Sequence, residues 1–408
     1  MSQFRVRLIQ TSDELRRSAV EWDELWRRSD VASPTARAEV VALRVDHLAA
    51  GGTFRGLVVE HDGRMVAALP LIGRKLKGVL HVGSLPCNYW VSGGALMLDC
   101  STDAAAALDC MVTAIEELPW PLLWLDQVAF DDSVWQAFRA AAARAGLSVS
   151  VREHYQIGQV EISEDWQTYT TQRIKGDRRR KLNRRIKMLE DAGGADLKIY
   201  RDIAPEQLDE LVRRGFEVED RSWKAAEGTS VLKNPAIFEQ YRTEAKLLNR
   251  LGILELVFLE NQGQPMAFVY GYHAKGVHFV TKLGCDESFA KFAPGQQLFY
   301  RWLEQLHAGA DQSLLDFAGP LLDYHKTWTT CSYPIGTLVV ASPRLFSRGL
   351  FHVYTQWQPR MKRLKQRIST SFQTLRTAAV STGAKLGRVI HLNRPTPQAA
   401  TDAAETES

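Results

Sequence analysis

Two β-hairpin patterns, one in each half of the chain, constrain the fold more than any other feature of the sequence. Segments 55–60 and 64–69 flank a turn at Asp62-Gly63, and segments 254–259 and 265–270 flank Asn261-Gln262-Gly263. Short turns of this composition join adjacent antiparallel strands. Helical patterns precede each hairpin, and a further helix and an apolar strand follow it, at 122–125 in the first half and 314–317 in the second.

The matched order of elements predicts two copies of one mixed α/β fold, each built on a mixed sheet. Chance recurrence of hairpins and helices in an α/β chain is the alternative. We expect an N-terminal domain over 1–160, a C-terminal domain over 161–343, a basic helical extension over 344–395 and a disordered polar tail over 396–408.

The composition is that of a globular chain of 408 residues, which is long enough for two domains. No apolar run approaches the roughly 20 residues of a membrane span, and the N-terminus has no apolar signal core. The five cysteines are odd in number and far apart, which argues against a disulfide framework or a metal site. We therefore expect a cytoplasmic protein without a metal.

Positive charge is concentrated in two places, although the net charge is only +4. The first, the basic cluster, comprises Arg173, Lys175, Arg178, Arg179, Arg180, Lys181, Arg184, Arg185 and Lys187. Its apolar residues recur at helical spacing, so it is a solvated helix face, a surface for an anionic acceptor or carrier such as tRNA, or a support for donor phosphates. The second, 344–394, lacks Asp and Glu, and could lie on the anionic inner face of a membrane, pack on the protein or bind nucleic acid.

The segment Lys291–Leu298 carries the clearest candidate binding loop. It lies between a predicted strand and a helix, and its Pro294-Gly295 pair forces a turn that permits close approach to a ligand. We expect the N–H groups of Gln296 and Gln297 to lack helical partners and to suit a pyrophosphate. A helix start without a ligand is the alternative.

The corresponding segment of the first half, 98–103, contains no glycine, and it carries Asp99 and Asp103. Two carboxylates would repel a phosphate. The sequence therefore predicts an anion site in the second half alone.

Four features of the second half, taken together, resemble the GNAT acyltransferase superfamily. They are the basic helix 178–185 ahead of 189–194, Arg221-Ser222-Trp223-Lys224 with Gly228, the Pro294-Gly295 loop, and Asp316-Phe317 followed by Gly319, Tyr324 and Trp328. The pattern is most similar to the two-lobed CelD-type branch, which is associated with cellulose and exopolysaccharide synthesis and is akin to the Fem peptidyltransferases. The resemblance spans about 166–335, and the first half matches in outline.

The resemblance implies two tandem GNAT-like domains, with acetyl-CoA or another acyl-CoA as the donor. Residues Ala293, Pro294, Gly295, Gln296 and Gln297 would cradle it, with the thioester between splayed strands. Three positions depart from the pattern: Phe292 replaces the usual Gln or Arg, Gln297 the usual Gly or Ala, and His325 a Lys.

Acyl transfer to an amine or hydroxyl needs a base and an acid for the leaving thiolate. Asp316 is a candidate base because a carboxylate in an apolar strand must be satisfied or used; holding a loop is its alternative role. Tyr324 is a candidate acid and His325 a candidate base, with packing as the alternative. Further candidate bases, or else solvated carboxylates, are Glu217, Glu219 and Asp220; candidate acceptor-binding residues are Trp223, Lys224 and Arg184.

The sequence thus predicts an acyl-CoA-dependent acyltransferase that acts on a small molecule or saccharide and does not bind nucleic acid. Its rivals are a Fem-like transferase that uses aminoacyl-tRNA and a non-catalytic regulator that keeps the fold.

Overall fold

The computed structural model describes residues 4–49, 52–88, 95–309 and 313–357. Within these ranges the strands are β1 (Phe4–Ile9), β2 (Phe54–His61), β3 (Arg64–Leu76), β4 (Leu80–Ser84), β5 (Met97–Leu98), β6 (Leu122–Val128), β7 (Ser148–Ile162), β8 (Asp196–Tyr200), β9 (Leu254–Asn261), β10 (Gln264–Ala274), β11 (Val277–Cys285), β12 (Ser313–Pro320) and β13 (Cys331–Ala341). The helices are α1 (Ser12–Arg17), α2 (Ala19–Arg28), α3 (Ala38–Leu48), α4 (Ala104–Ala114), α5 (Ser133–Arg144), α6 (Trp166–Arg173), α7 (Gly176–Asp191), α8 (Pro205–Asp220), α9 (Trp223–Ala226), α10 (Pro235–Arg250), α11 (Pro294–His307) and α12 (Leu345–His352).

All the strands join one mixed sheet in the order β1-β2-β3-β4-β6-β13-β7-β12-β11-β10-β9-β8, with β5 paired to β3. Every pairing is antiparallel except β4 with β6 and β11 with β12, which are parallel. These two parallel pairs occupy matching places in the two halves. Each half contains helices, a hairpin, a further helix and a strand in the order that the sequence predicted. The structure adds a first strand to the second half, β8, and a third strand, β4, after the hairpin of the first half, with the short β5 as an extra strand of the first half.

Both predicted hairpins are confirmed. Strand β2 pairs with β3 and β9 pairs with β10, each across a two-residue turn. The turn residues Asp62 and Gly63, and likewise Gln262 and Gly263, have positive φ angles between 49° and 80°. That geometry matches the right-handed twist of the flanking strands, and it explains why a glycine occupies the second position of each turn.

The two halves are interlocked through their last strands. Strand β13, from the end of the second half, lies between β6 and β7 of the first half, and β7 pairs with β12 on its other edge. The segment Ser148–Ile162 forms one long strand, β7. The boundary expected near residue 160 therefore falls inside a strand that both halves share.

Helices cover both faces of the sheet. On one face, α1 to α3 of the first half and α8 and α10 of the second pack into a common core that includes Trp22, Phe216, Tyr241 and Phe268. On the other face, α4 and α5 cover the first half, while α7 and α11 cover the second. The buried ion pair between Arg44 of α3 and Glu244 of α10 also joins the halves on the common face.

The expected C-terminal extension and tail lie mostly outside the described residues. Helix α12 is described, and its Phe351 packs against Val82, Leu122 and Val339 of the sheet. In the described part of the chain, no helix is both long enough and apolar enough to cross a bilayer.

Candidate active site

A V-shaped cleft separates β11 from β12. The two strands pair only at Val277–Phe279 with Leu314–Asp316 and then diverge, as β11 runs on to Cys285 and β12 to Pro320. Thr281 forms a bulge in β11, because Tyr270 pairs with Lys282 while the next residue of β10 pairs with Val280. Strand β12 also departs from regular pairing, and its Ala318 has a left-handed φ of 48°. The bulge leaves Thr281 without a paired residue on β10.

Helix α11 closes the wide end of the cleft. Its N-cap, Ala293, has a left-handed φ of 53°, and Pro294 starts the first turn. Gly295 packs against the Cys285 sulfur at the end of β11, and the side-chain amide of Gln296 donates to the carbonyl of Tyr324, 3.3 Å away, in the loop after β12. The start of α11 therefore contacts both walls.

The two halves differ at this point in the way the sequence suggested. The N-cap of α11 provides no side-chain cap, so the positive end of the helix carries no carboxylate of its own. In the first half, Asp103 caps the equivalent helix α4 by accepting from the N–H of Ala106 at 3.0 Å. Asp99 is buried beside it in an ion pair with Arg28. The anionic side chains of the first half already occupy the place where a phosphate would bind.

Three expectations for the loop need correction. The N–H groups of Gln296 and Gln297 are not without partners, since both lie within hydrogen-bonding distance of the Ala293 carbonyl, at 3.0 and 3.2 Å. The Gln297 side chain is buried and donates to the carbonyl of Arg185, so it fixes α7 against α11. A Cβ at Gly295 would lie 2.8 Å from the Cys285 sulfur, so packing of helix on strand also requires this glycine.

Glu219 is buried, contrary to its interpretation as a solvated carboxylate. It receives hydrogen bonds from Lys224 Nζ at 2.8 Å and from the Val231 N–H at 3.0 Å. Lys224 also donates to the carbonyl of Leu283 on β11, at 2.9 Å. Burial lowers the pKa of the neighbouring Lys282 to about 8, and the charge of Glu219 opposes this shift. The three charged groups form one cluster on the α8 side of β11.

The other candidates near α8 are more peripheral. Asp220 accepts from the Ser230 hydroxyl and lies 4.0 Å from Lys233, while Glu217 is exposed. Trp223 is 56% exposed, and Arg184 lies on the exposed face of α7. The structure thus brings Glu219 and Lys224 to the cleft wall, and it leaves Glu217 and Arg184 on the surface.

Asp316 lies at the vertex of the cleft and is the last residue of β12 that pairs with β11. Its Oδ2 accepts from Gln159 Nε2 at 2.8 Å and from the Tyr333 hydroxyl at 2.9 Å, and its Oδ1 accepts from the Ala318 N–H at 2.6 Å. Burial raises the pKa of its carboxyl, although these hydrogen bonds to the charged form oppose the shift. The carboxylate is therefore both satisfied and primed to take a proton.

Tyr324 and His325 lie in the loop after β12. Tyr324 is 40% exposed, and partial desolvation together with the nearby Cys285 raises the pKa of its hydroxyl. His325 stacks on Phe317 with ring centroids 4.2 Å apart, and burial lowers its pKa to about 4. The ring is therefore neutral at pH 7, and its buried Nδ1 has no hydrogen-bond partner among the described residues.

The basic cluster lies largely on α7, whose Leu182 and Leu189 face the core. Its cations are all exposed. Because Gln297 holds α7 against the start of α11, these cations flank the wide end of the cleft. The solvated-face interpretation is consistent with this placement, and so is a role beside donor phosphates.

Sequence reasoning missed Lys282, Cys285, Gln159 and Tyr333. Lys282 and Cys285 follow the bulge in β11, and a bulge leaves no local mark in an apolar alternating strand. Gln159 and Tyr333 reach Asp316 only because β13, β7 and β12 are adjacent in the sheet. The sequence does show a polar residue in β7 and another in β13, but it does not show that these strands lie next to β12 in the sheet.

Residues 176–326 match the sequence profile of the acetyltransferase (GNAT) domain. A comparison with curated proteins finds no match. Among solved structures, a conserved protein of unknown function from Bacteroides thetaiotaomicron is similar, with 12% identity over 79% of this chain and 97% of that chain, at a TM-score of 0.50. FemX has 12% identity over 86% of this chain and 99% of its own, at a TM-score of 0.47. A tandem GNAT protein from the clavulanic acid biosynthesis pathway has 10% identity over 83% of this chain and 100% of its own, at a TM-score of 0.41.

At these identities the likeness to solved structures concerns the fold alone. The mixed α/β sheet, built from two halves with the same order of elements, agrees with the fold class that the sequence predicted. The matched segment contains the bulged strand β11, helix α11, strand β12 and Tyr324. Residues 176–326 are therefore similar in sequence to GNAT acetyltransferase domains.

Proposed function

We propose that this protein transfers an acyl group, in the simplest case acetyl, from acyl-CoA to an amine or hydroxyl acceptor. The observation that carries the proposal is the contrast between the two halves. Helix α11 presents an N-terminus without a side-chain cap at the wide end of a splayed, bulged strand pair, whereas Asp103 caps the equivalent helix α4. The donor then binds in the second half alone.

The donor phosphates would lie at the start of α11, over Ala293 to Gln297, with the exposed cations of α7 nearby. The pantetheine arm would extend between β11 and β12 towards the vertex. The bulge at Thr281 frees that residue from pairing with β10 and makes its surroundings the natural source of N–H donors for the developing oxyanion.

The acceptor atom attacks the thioester carbon, the carbon–sulfur bond breaks, and coenzyme A departs as a thiolate. Asp316, directly or through a water, takes the proton that the acceptor loses. Tyr324, in the loop after β12, is the candidate group that returns a proton to the sulfur by way of water. Lys224 and Glu219 fix the α8 side of β11 through the Leu283 carbonyl.

The acceptor class follows from the CelD-type resemblance. It suggests a sugar nucleotide, a polysaccharide precursor or an amine-containing metabolite of the cell envelope. The C-terminal basic region would hold the protein at the inner face of the membrane. Both statements are proposals that rest on the sequence.

One observation favours a second donor, aminoacyl-tRNA. Helix α7, which Gln297 holds against the start of α11, carries seven exposed Lys and Arg side chains, and a polyanion would be attracted to such a surface. This Fem-like alternative predicts tRNA binding that weakens steeply with salt, without stabilisation by CoA.

Thermal unfolding in the presence of CoA, acetyl-CoA, longer acyl-CoAs or total tRNA separates the two donors. A ligand at 100 times its Kd stabilises the folded state by about 2.7 kcal/mol, which is readily measured as a higher Tm. We expect acyl-CoA to raise the Tm and tRNA not to raise it. Stabilisation by tRNA and by none of the CoA ligands would reject acyl-CoA as donor, and an unchanged Tm with every ligand would favour the non-catalytic alternative.

A further inference from the structure

A cavity of about 480 Å³ lies where the two halves meet. Phe279 and Asp316 of the second half line one side, and the loop after α2 and the start of α5 of the first half line the other. Gln159 of β7 and Tyr333 of β13 lie between them. This volume is typical of small-molecule sites, and its lining is mainly apolar.

The position of the cavity relates it to the cleft. Phe279 and Asp316 are the last paired residues of β11 and β12 before the strands diverge, and both line the cavity. The cavity therefore adjoins the vertex of the cleft, two residues along β11 from the bulge at Thr281. A molecule in the cavity would face the acyl end of a donor bound along the cleft.

The charges that line the cavity are all negative. Asp30, Asp132 and Asp316 come from three different elements, and the lining residues in the described ranges include no Lys, Arg or His. Lys275 approaches the loop that carries Asp30, but its Nζ is engaged by the backbone carbonyls of that loop, including that of Ser29 at 2.7 Å. Lys275 is therefore part of the cavity wall and does not present its charge to the interior of the cavity.

The two carboxylates nearest the vertex differ in how they are satisfied. Asp316 is buried and accepts three hydrogen bonds. Asp132, the N-cap of α5, is more exposed, and its carboxylate makes no hydrogen bond or ion pair with the described residues. Partial desolvation, together with repulsion from Asp131 and Asp316, raises the pKa of Asp132, so a cation placed between Asp132 and Asp316 would relieve the repulsion.

We propose that this cavity is the acceptor site, that it is built from both halves, and that it selects a primary amine attached to an apolar body. The proposal rests on the proposed acyl transfer. Asp132 pairs with the ammonium form near the vertex of the cleft. The ammonium first loses one proton to solvent, and the amine nitrogen then attacks the thioester. A carbon–nitrogen bond forms as the carbon–sulfur bond breaks. Asp316 accepts the second nitrogen proton, and the thiolate gains a proton to leave as a thiol.

Binding of hexylamine, with 1-hexanol and hexanoate as matched probes, tests the site without turnover. Calorimetry at pH 7 should detect hexylamine but neither matched probe. Asp132→Asn should weaken hexylamine binding about three- to fivefold, as removal of one partly exposed charge would. Its control is Asp131→Asn, which removes the neighbouring exposed carboxylate outside the lining and should leave the affinity unchanged.

Acetyl-CoA is titrated in parallel to separate this inference from the proposed function. Equal affinity for hexylamine and 1-hexanol, or an equal effect of the two substitutions, would overturn the amine site even if acetyl-CoA binds. Selective hexylamine binding that Asp132→Asn weakens would support the amine site, and a simultaneous failure to bind acetyl-CoA would count against the donor alone.

Discussion

At the scale of single residues, Asp316 carries the largest share of the proposed chemistry. Asp316→Asn keeps the shape and can keep the three contacts, because the Tyr333 hydroxyl can accept and the Gln159 amide can turn. We expect the variant to bind acyl-CoA as the wild type does and to lose turnover at least ~100-fold, the usual effect of removing a general base. Tyr324→Phe should lower turnover less, because water can protonate a thiolate.

A stability measurement separates a catalytic Asp316 from a structural one. Its pKa is raised in the folded protein, so its contribution to stability is greatest below its unfolded pKa and declines as the pH rises through the folded value. The Tm of Asp316→Asn at pH 7 should therefore be no lower than that of the wild type. Wild-type turnover in Asp316→Asn, or a marked fall in its Tm, would make Asp316 structural and move the search to Glu219 and His325.

At the scale of elements, α12 couples the C-terminal region to the sheet. Its Phe351 is buried against strand residues, whereas Leu345 and Phe346 are exposed. Truncation after Pro343 removes this helix and should lower the Tm, since burial of one Phe contributes about 1.5–3 kcal/mol. Truncation after Trp357 keeps the helix and should preserve the Tm.

The same two variants test the expected membrane surface. Binding to anionic vesicles should be lost from both truncated chains, because both lack the basic segment that follows Trp357. Vesicle binding that survives truncation after Trp357 would assign the membrane contact to another part of the chain.

The elements that local rules govern were predictable from the sequence. Both hairpins follow from their Gly turns. The placement of β13 was not predictable, because pairing with β6 and β7 depends on residues far away in the chain. For the same reason Asp316 was recognised as a buried carboxylate, while its partners Gln159 and Tyr333 were not.

At the scale of the whole molecule, the interlocked strands explain why one half can specialise. The first half supplies β6, β7 and part of the cavity wall, and its own helix terminus is closed by Asp103. The second half supplies the cleft. The buried Arg44–Glu244 pair and the shared core hold the halves in one arrangement, so that a site built from both keeps its geometry.

The central claim is a single donor site at the start of α11. Calorimetric titration with acetyl-CoA tests it most directly, using Gln296→Glu and its control on the same helix, the exposed Gln305→Glu. A carboxylate at position 296 suits the helix dipole and should not lower the Tm, but it repels phosphate. The account predicts one acetyl-CoA per chain, with affinity at least roughly tenfold weaker in Gln296→Glu and unchanged in Gln305→Glu. Two equivalents per chain, or equal affinity in both variants, would contradict it.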